Sequence, residues 1–244
     1  KLDQEINDLR DQLENEIAQL EAEKEDLEEQ LSRFYQLVAK VEETKRQLLR
    51  ELQQKLSHQG INDIIVDFDR GVIGFPEDLL FKSGQAEITP TGQSVIRAMA
   101  SALIDVLPCY SNSPVEFQET RCKHVPNKAL ATIFVEGHTD PRPIRFARGY
   151  KNNWDLSSWR AINTFTGLVN QDDELDEFKN DQGQKLLSIA AYEARRGVAP
   201  NYIDGRMNPR GMEKNRRVDI RFLMSPPSAK ALKAIDASMG SKTD

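Results

Sequence analysis

The run ATIFVEGHTDPRPI (131–144), followed closely by NNWDLSSWRA (152–161), decides the reading of this chain. ALATIFVEG (129–137) is nearly continuous in apolar residues, the pattern of a strand at the centre of a covered sheet. The polar GHTD that follows marks the strand's exit and sets Asp140 just beyond it. Pro141 and Pro143 stiffen the exit loop and keep the residues before them extended. LSSWRAINTFTGLVN (156–170) reads as a helix, with Asp155 or Ser157 as its N-cap and Arg160 about one turn inside. A carboxylate and a guanidinium from adjacent elements are then expected to face one concave site suited to a zwitterion. Asp140 would accept from an ammonium, and the planar fork of Arg160 would take a carboxylate. Each residue also has a plainer reading, Asp140 as a turn cap and Arg160 as half of a surface ion pair. Asn153 adds amide donors and acceptors beside the site. Trp154 and Trp159 flank it, with simple core packing as the alternative.

Outward from this centre, INDIIVDFDRGVIGF (61–75) reads as two short strands around Asp69-Arg70-Gly71. TGQSVIRAMASALIDVL (91–107) carries one apolar face at helical spacing. QKLLSIAAYEARRG (184–197) reads as a further amphipathic helix stopped by Gly197, and acidic residues 171–183 as an exposed excursion. NYIDGR (201–206) reads as a short strand, RRVDIRFLM (216–224) alternates as a strand, and the chain after it as a short helix and a frayed tail. The expected fold class is α+β, a mixed sheet with helices packed on one face, preceded by a long coiled-coil helix. The expected divisions are 1–59, 60–225 and a tail at 226–244.

Residues 1–56 read as one helix whose apolar positions, from Leu2 and Ile6 to Leu48 and Leu52, step mostly by three and four. Leu9, Leu13, Ile17 and Leu20 form a stutter, and Lys24 and Lys45 fall on the seam. Such a stripe calls for a partner. A parallel homodimer is the simplest, another protein's helices the alternative. Gly60 is the expected stop.

The net charge of −6 resides in this helix, where 9 Lys and Arg stand against 15 Asp and Glu. The rest of the chain is neutral, which argues against nucleic acid as the main partner. A local basic cluster (Arg142, Arg145, Arg148, then Arg206, Arg210, Lys214, Arg216, Arg217 and Arg221) is either a solvated surface or an anion-facing one. Mean hydropathy is −0.60, and no run reaches the roughly 18–20 apolar residues of a membrane span. Cys109 and Cys122 lack metal-ligand spacing. They read as a disulfide closing a polar loop, worth about 3 kcal/mol in the chain-entropy picture, in an oxidising compartment. Two unpaired thiols are the alternative.

Catalysis finds little support. His58, His124 and His138 show no H-E-x-x-H pattern, no G-x-S-x-G elbow is present, and no glycine-rich phosphate loop occurs. A triad of His138, Asp140 and Ser157 is conceivable but unsupported. No cofactor and no metal are expected.

LLFKSGQAEITPTG, ATIFVEGHTD, NNWDLSSWRA and NRRVDIRF stand in the order of an OmpA-like peptidoglycan-binding domain, and residues 61–224 resemble that family. GHTDPRPI with NNWDLSSWRA is similar in particular to the B subunits of ion-driven stators, flagellar MotB and the B subunit of Zorya antiphage defence. The resemblance implies a cell-wall anchor that binds the diaminopimelate group of peptidoglycan. Asp140 would take the ammonium and Arg160 the carboxylate. Thr139, Asn153, Leu156, Asn215, Arg216 and Arg217 occupy neighbouring contact positions. It also implies a periplasmic domain, a stator A-type membrane subunit as partner, and a membrane helix upstream of Lys1. A coiled-coil envelope tether with no motor is the alternative. Three departures touch the rim of the site: the long loop 108–127, the insertion 171–183 and the shortened IDGRMNPRGMEK (203–214).

Overall fold

The computed structural model describes residues 2–111, 122, 130–144 and 149–226. The expected C-terminal helix and most of the loop 108–127 lie outside them. Residues Glu43–Ser225 form one compact unit, and Lys1–Glu42 fall outside it.

Helix α1 runs Leu2–His58 and stops as expected, with Gly60 at φ +81°, a conformation that residues bearing a Cβ rarely adopt. Along its first part the stripe Leu2, Ile6, Leu9, Leu13, Ile17 and Leu20 is exposed. Its last turns behave differently. Leu48, Leu49, Leu52 and Leu56 are fully buried in the core of the compact unit, each contributing about 1.5–3 kcal/mol. The seam's end is therefore covered by the chain's own domain, a correction to the expectation that the whole stripe calls for a partner. Lys45, placed on the seam by spacing, is buried and donates to the Asp69 carbonyl at 2.8 Å.

The hairpin comes next, β1 (Ile65–Asp67) against β2 (Val72–Pro76), then a one-turn helix α2 (Glu77–Leu80). Helix α3 spans Pro90–Val106; Thr89 caps it, accepting from the Gly92 N–H, and Pro90 fills the first turn where no donor is needed. Cys109 and Cys122 are joined as a disulfide, with Cα atoms 5.2 Å apart.

Strand β3 (Leu130–His138) leads through the GHTD exit to helix α4 (Asn153–Val169). The cap of α4 is Asn152, whose side chain accepts from the Asp155 N–H. Asp155 and Ser157 are therefore inside the helix rather than capping it, because the chain leaves the extended conformation at Asn152 and is helical from Asn153. The insertion is not simply exposed. Leu175 and Phe178 in it are buried in the core and pin the excursion down.

The segment read as a fourth helix is instead strand β4 (Leu187–Glu193), paired parallel to β3. LLSIAAY is a short apolar run that fits either periodicity, and a free sheet edge next to β3 takes precedence over the helix propensity of its alanines. β3, α4 and β4 thus form a β–α–β unit. A two-residue ladder, β5 (Tyr202–Ile203) with β6 (Arg206–Met207), turns at Asp204-Gly205. A short helix α5 (Pro209–Asn215), not foreseen in the sequence, precedes β7 (Arg217–Met224).

The five-stranded sheet has the order β1-β2-β7-β3-β4, antiparallel except for β3–β4. Alternation along the strands divides it into two faces. Ile73, Phe75, Ile133, Val135, Val218, Ile220 and Phe222 join α3, α4 and the end of α1 in one apolar core. Gly137 lies on this same face, and a Cβ there would stand 1.9 Å from the Ser157 carbonyl oxygen. Glycine at this position lets α4 close onto the strand. Glu136, His138, Arg217, Asp219 and Arg221 point the other way.

Candidate functional site

Where β3 ends, the Thr139 N–H donates to the Glu193 carbonyl and ties the exit to β4. Asn153, in the first turn of α4, donates from Nδ2 to the carbonyls of Asp140 and Arg142 at 3.0 and 2.9 Å. The exit loop is thereby held at two points, with Asp140 presented at the mouth of a cavity of about 310 Å³. Leu156, Ile144, Pro143, Ser83 and Gly84 complete much of its wall.

Thr139, Asp140, Asn153, Leu156, Arg160 and Arg216 all line this cavity, so the structure brings together six of the eight predicted ligand positions. Asn215 and Arg217 are elsewhere. Asn215 braces the 198–201 loop, accepting from the Val198 and Ala199 N–H groups and donating to Ala199 and Asn201. Arg217 pairs with Asp219 on the other face of the sheet.

The charge arrangement departs from a bare two-armed clamp. Arg160 is 0 % exposed, and its guanidinium donates from Nη2 to Glu77 Oε1 and from Nε to the Gln85 carbonyl. Its Nη1 is buried without a hydrogen-bond partner. The guanidinium that reaches Asp140 from inside the cavity belongs instead to Arg216, at 2.9 Å, and Arg216 also donates to Glu77 Oε2. Glu77 therefore bridges Arg160 and Arg216, and the Gly84 N–H adds a third bond to it. Arg142 closes on Asp140 from the solvent side, Nη2 to Oδ2 at 2.6 Å, with its Nε and main-chain N–H on the same carboxylate.

Three guanidinium groups and two carboxylates share this cavity. Burial pushes the Asp140 carboxyl up, but the hydrogen bonds from Arg142 and Arg216 outweigh it and hold it below its usual range. Burial draws Arg160 down despite Glu77. The cavity carries a surplus of positive charge and one unmatched donor, an arrangement that suits an anionic group.

Glu77 and Arg142 were absent from the predicted site. Glu77 follows Pro76 in a stretch with no chemical signature, and it meets Arg160 only through a contact spanning 83 residues. Arg142 stood in the basic cluster, where its nearness to Asp140 was the available signal. Of that cluster, Arg145 and Arg148 lie outside the described residues, and Arg206, Arg210 and Lys214 are exposed. Trp154 and Trp159 are also exposed, so core packing does not account for them; the Arg195 guanidinium stacks 5.1 Å from the Trp154 ring.

A triad does not assemble. The Ser157 hydroxyl donates to the Trp154 carbonyl and accepts from the Glu193 N–H, and His138 lies against Asp219 and Glu136 at 3.3 and 3.7 Å. Among the described residues one trio, Glu136, His138 and Asp219, has ligand atoms close enough for a metal. Its carboxylates are already engaged by Arg221 and Arg217. A divalent cation would leave a buried net charge of about +2 there, which disfavours the trio as a metal centre. No helix among the described residues is long and apolar enough to cross a membrane.

No family model and no curated protein matches the chain. Solved structures do. A MotB-like protein from Desulfovibrio vulgaris superposes with a TM-score of 0.54 at 20 % identity, over 75 % of this chain and 96 % of that one. The cell wall anchor of the type VI secretion system from Pseudomonas aeruginosa gives 0.49 at 22 %, over 71 % and 97 %. The periplasmic domain of Helicobacter pylori MotB (residues 78–256) gives 0.44 at 21 %, over 71 % and 86 %. The first of these places the present fold with that of a MotB-like protein, as the motif order implied.

Proposed function

We propose that this chain is a non-catalytic peptidoglycan anchor. Its cavity holds a diamino-dicarboxylate, the diaminopimelate of a stem peptide, with the ligand ammonium directed to Asp140 and its carboxylate to Arg160 and Arg216. The observation that carries this reading is the cavity of about 310 Å³ at the exit of β3, where Asp140 and Glu77 are shared among three guanidinium groups and a buried Arg160 Nη1 has no partner. A wall that offers both carboxylates and guanidinium groups, with one cation in surplus, suits binding of a zwitterion that carries its own carboxylate rather than bond breaking.

The exposed stripe of α1 from Leu2 to Phe34 supports a coiled-coil homodimer as the carrier of this domain. The disulfide agrees with an oxidising compartment, and with it the periplasm. The motif resemblance to stator B subunits, together with the MotB-like fold, supports a place in an ion-driven stator with an A-type membrane subunit. A role in antiphage defence of the Zorya kind is the finest step of the proposal and rests on the motif resemblance alone.

Co-sedimentation with purified sacculi tests the reading. The full chain is expected in the pellet, and Asp140→Ala and Arg216→Ala in the supernatant. Equal retention of all three proteins would sink it.

A further inference from the structure

We propose that Arg142 sets the ligand selectivity of this cavity. It is a tethered competitor for the ligand's cationic group and makes the site discriminate against ligands that bring an ammonium without a carboxylate. The inference rests on the reading of the cavity as a diaminopimelate site.

The Asp140 carboxylate is saturated. Oδ1 accepts from the Arg142 main-chain N–H and Nε, and Oδ2 from Arg142 Nε and Nη2 and from Arg216 Nη1. A carboxylate offers about four lone-pair sites, so an incoming ammonium finds none free. One partner has to leave, and the two candidates differ. Arg216 is held at its other end by Glu77, and its side chain is 22 % exposed. The Arg142 side chain is 53 % exposed, and its guanidinium has Asp140 as its ion-pair partner. Asn153 fixes the Arg142 carbonyl, so the side chain can swing outward while the loop's main chain stays in place.

The exchange has a consequence for charge. With Arg142 displaced but still tethered two residues away, the rim and cavity hold Arg142, Arg160 and Arg216 against Asp140 and Glu77, and the ligand adds a further positive charge. A diaminopimelate side chain brings its own carboxylate to offset that surplus. A lysine side chain brings the ammonium alone and meets like-charge repulsion. Arg142 therefore separates diamino-dicarboxylate stem peptides from lysine-type ones by the charge of the cavity, with no contact to the ligand's distinguishing carboxylate required.

Calorimetric titration of the full chain and of Arg142→Ala with two synthetic tripeptides tests this, L-Ala–D-Glu–meso-diaminopimelate and L-Ala–D-Glu–L-Lys. The wild-type chain is expected to prefer the diaminopimelate peptide. Arg142→Ala is expected to bind both more tightly, the lysine peptide gaining about three- to fivefold and the diaminopimelate peptide less than about twofold, the range that one partly exposed ion pair supports. Arg142→Gln, which keeps most of the side chain's bulk, separates loss of charge from loss of volume and is expected to follow the alanine variant. A selectivity ratio unchanged or increased in both variants overturns the role of Arg142 and leaves the site intact. Binding of neither peptide by any of the three proteins overturns the diaminopimelate reading and this inference with it.

Discussion

The polar face of the sheet and the exit of strand β3 both carry buried arginine–carboxylate groups, and they are built to opposite plans. On the face away from the helices, Arg221 forks onto Glu136 at 2.8 and 2.7 Å, and Arg217 onto Asp219 at 3.0 Å. Each guanidinium forks onto one carboxylate, and all four groups are buried. At the strand's exit, two carboxylates are divided among three guanidinium groups beside open space. Charges matched one to one in a closed packing stabilise and orient a sheet. A surplus charge left beside a cavity costs desolvation energy that the protein alone does not recover, and that marks a place for a ligand.

The matched face is where substitution should cost most in stability. Arg221→Ala leaves Glu136 buried and uncompensated, so a loss of about 3–5 kcal/mol is expected in urea unfolding, with sacculus retention unchanged in the fraction that remains folded. A loss under about 1 kcal/mol would place that pair with ordinary surface bridges. The same pair sets an acid limit. Burial pushes the Glu136 carboxyl up, but adjacent His138 and the Arg221 guanidinium overcome this and hold it at about 2, below its ordinary 4.5. A depressed carboxyl contributes its stability in full above pH 4.5 and loses it as pH falls toward about 2. The stability gap between wild type and Glu136→Gln should be constant from pH 7 to 5 and close below that. A gap that stays constant to pH 2 would contradict the assignment.

Gly137→Ala probes the packing of α4 on β3, next to the cavity. Its Cβ would meet the Ser157 carbonyl at 1.9 Å, so α4 has to retreat from β3. A cost of about 1–3 kcal/mol is expected, with loss of retention on sacculi because Asn153 and Arg160 move with the helix. Normal retention would mean that the cavity tolerates displacement of α4. The smallest stability effect is expected at the cavity itself. Arg216→Ala should cost only about 1 kcal/mol, Arg160 and Arg142 remaining to neutralise Glu77 and Asp140, while peptidoglycan retention is lost. Together with Arg221→Ala it separates stability from binding in both directions, and a pair of variants losing both properties equally would collapse the distinction.

Much of the sheet was legible because its strands announce themselves locally. The hairpin around Asp69-Arg70-Gly71, the apolar β3 and the alternating β7 all follow from side-chain period. Strand β4 was not legible, since a seven-residue run rich in Ala, Leu and Ile satisfies either period and only pairing with β3 resolves it. In the site, Asp140 and Asn153 were accessible because both stand at element ends within 13 residues of one another. Glu77 was not, because the ion pair that holds Arg160 spans 83 residues of chain.

By itself the sequence determined the order of most elements, the position of Asp140 at the exit of β3 shortly before α4, the cysteine pair, and the long amphipathic helix. These depend on neighbours along the chain. Only the tertiary structure decided which guanidinium answers which carboxylate. Arg160 reaches Glu77 across 83 residues and Arg216 reaches Asp140 across 76. Electrostatic partnership acts through space at a few ångströms, and sequence spacing carries no measure of that distance once the chain has folded back on itself.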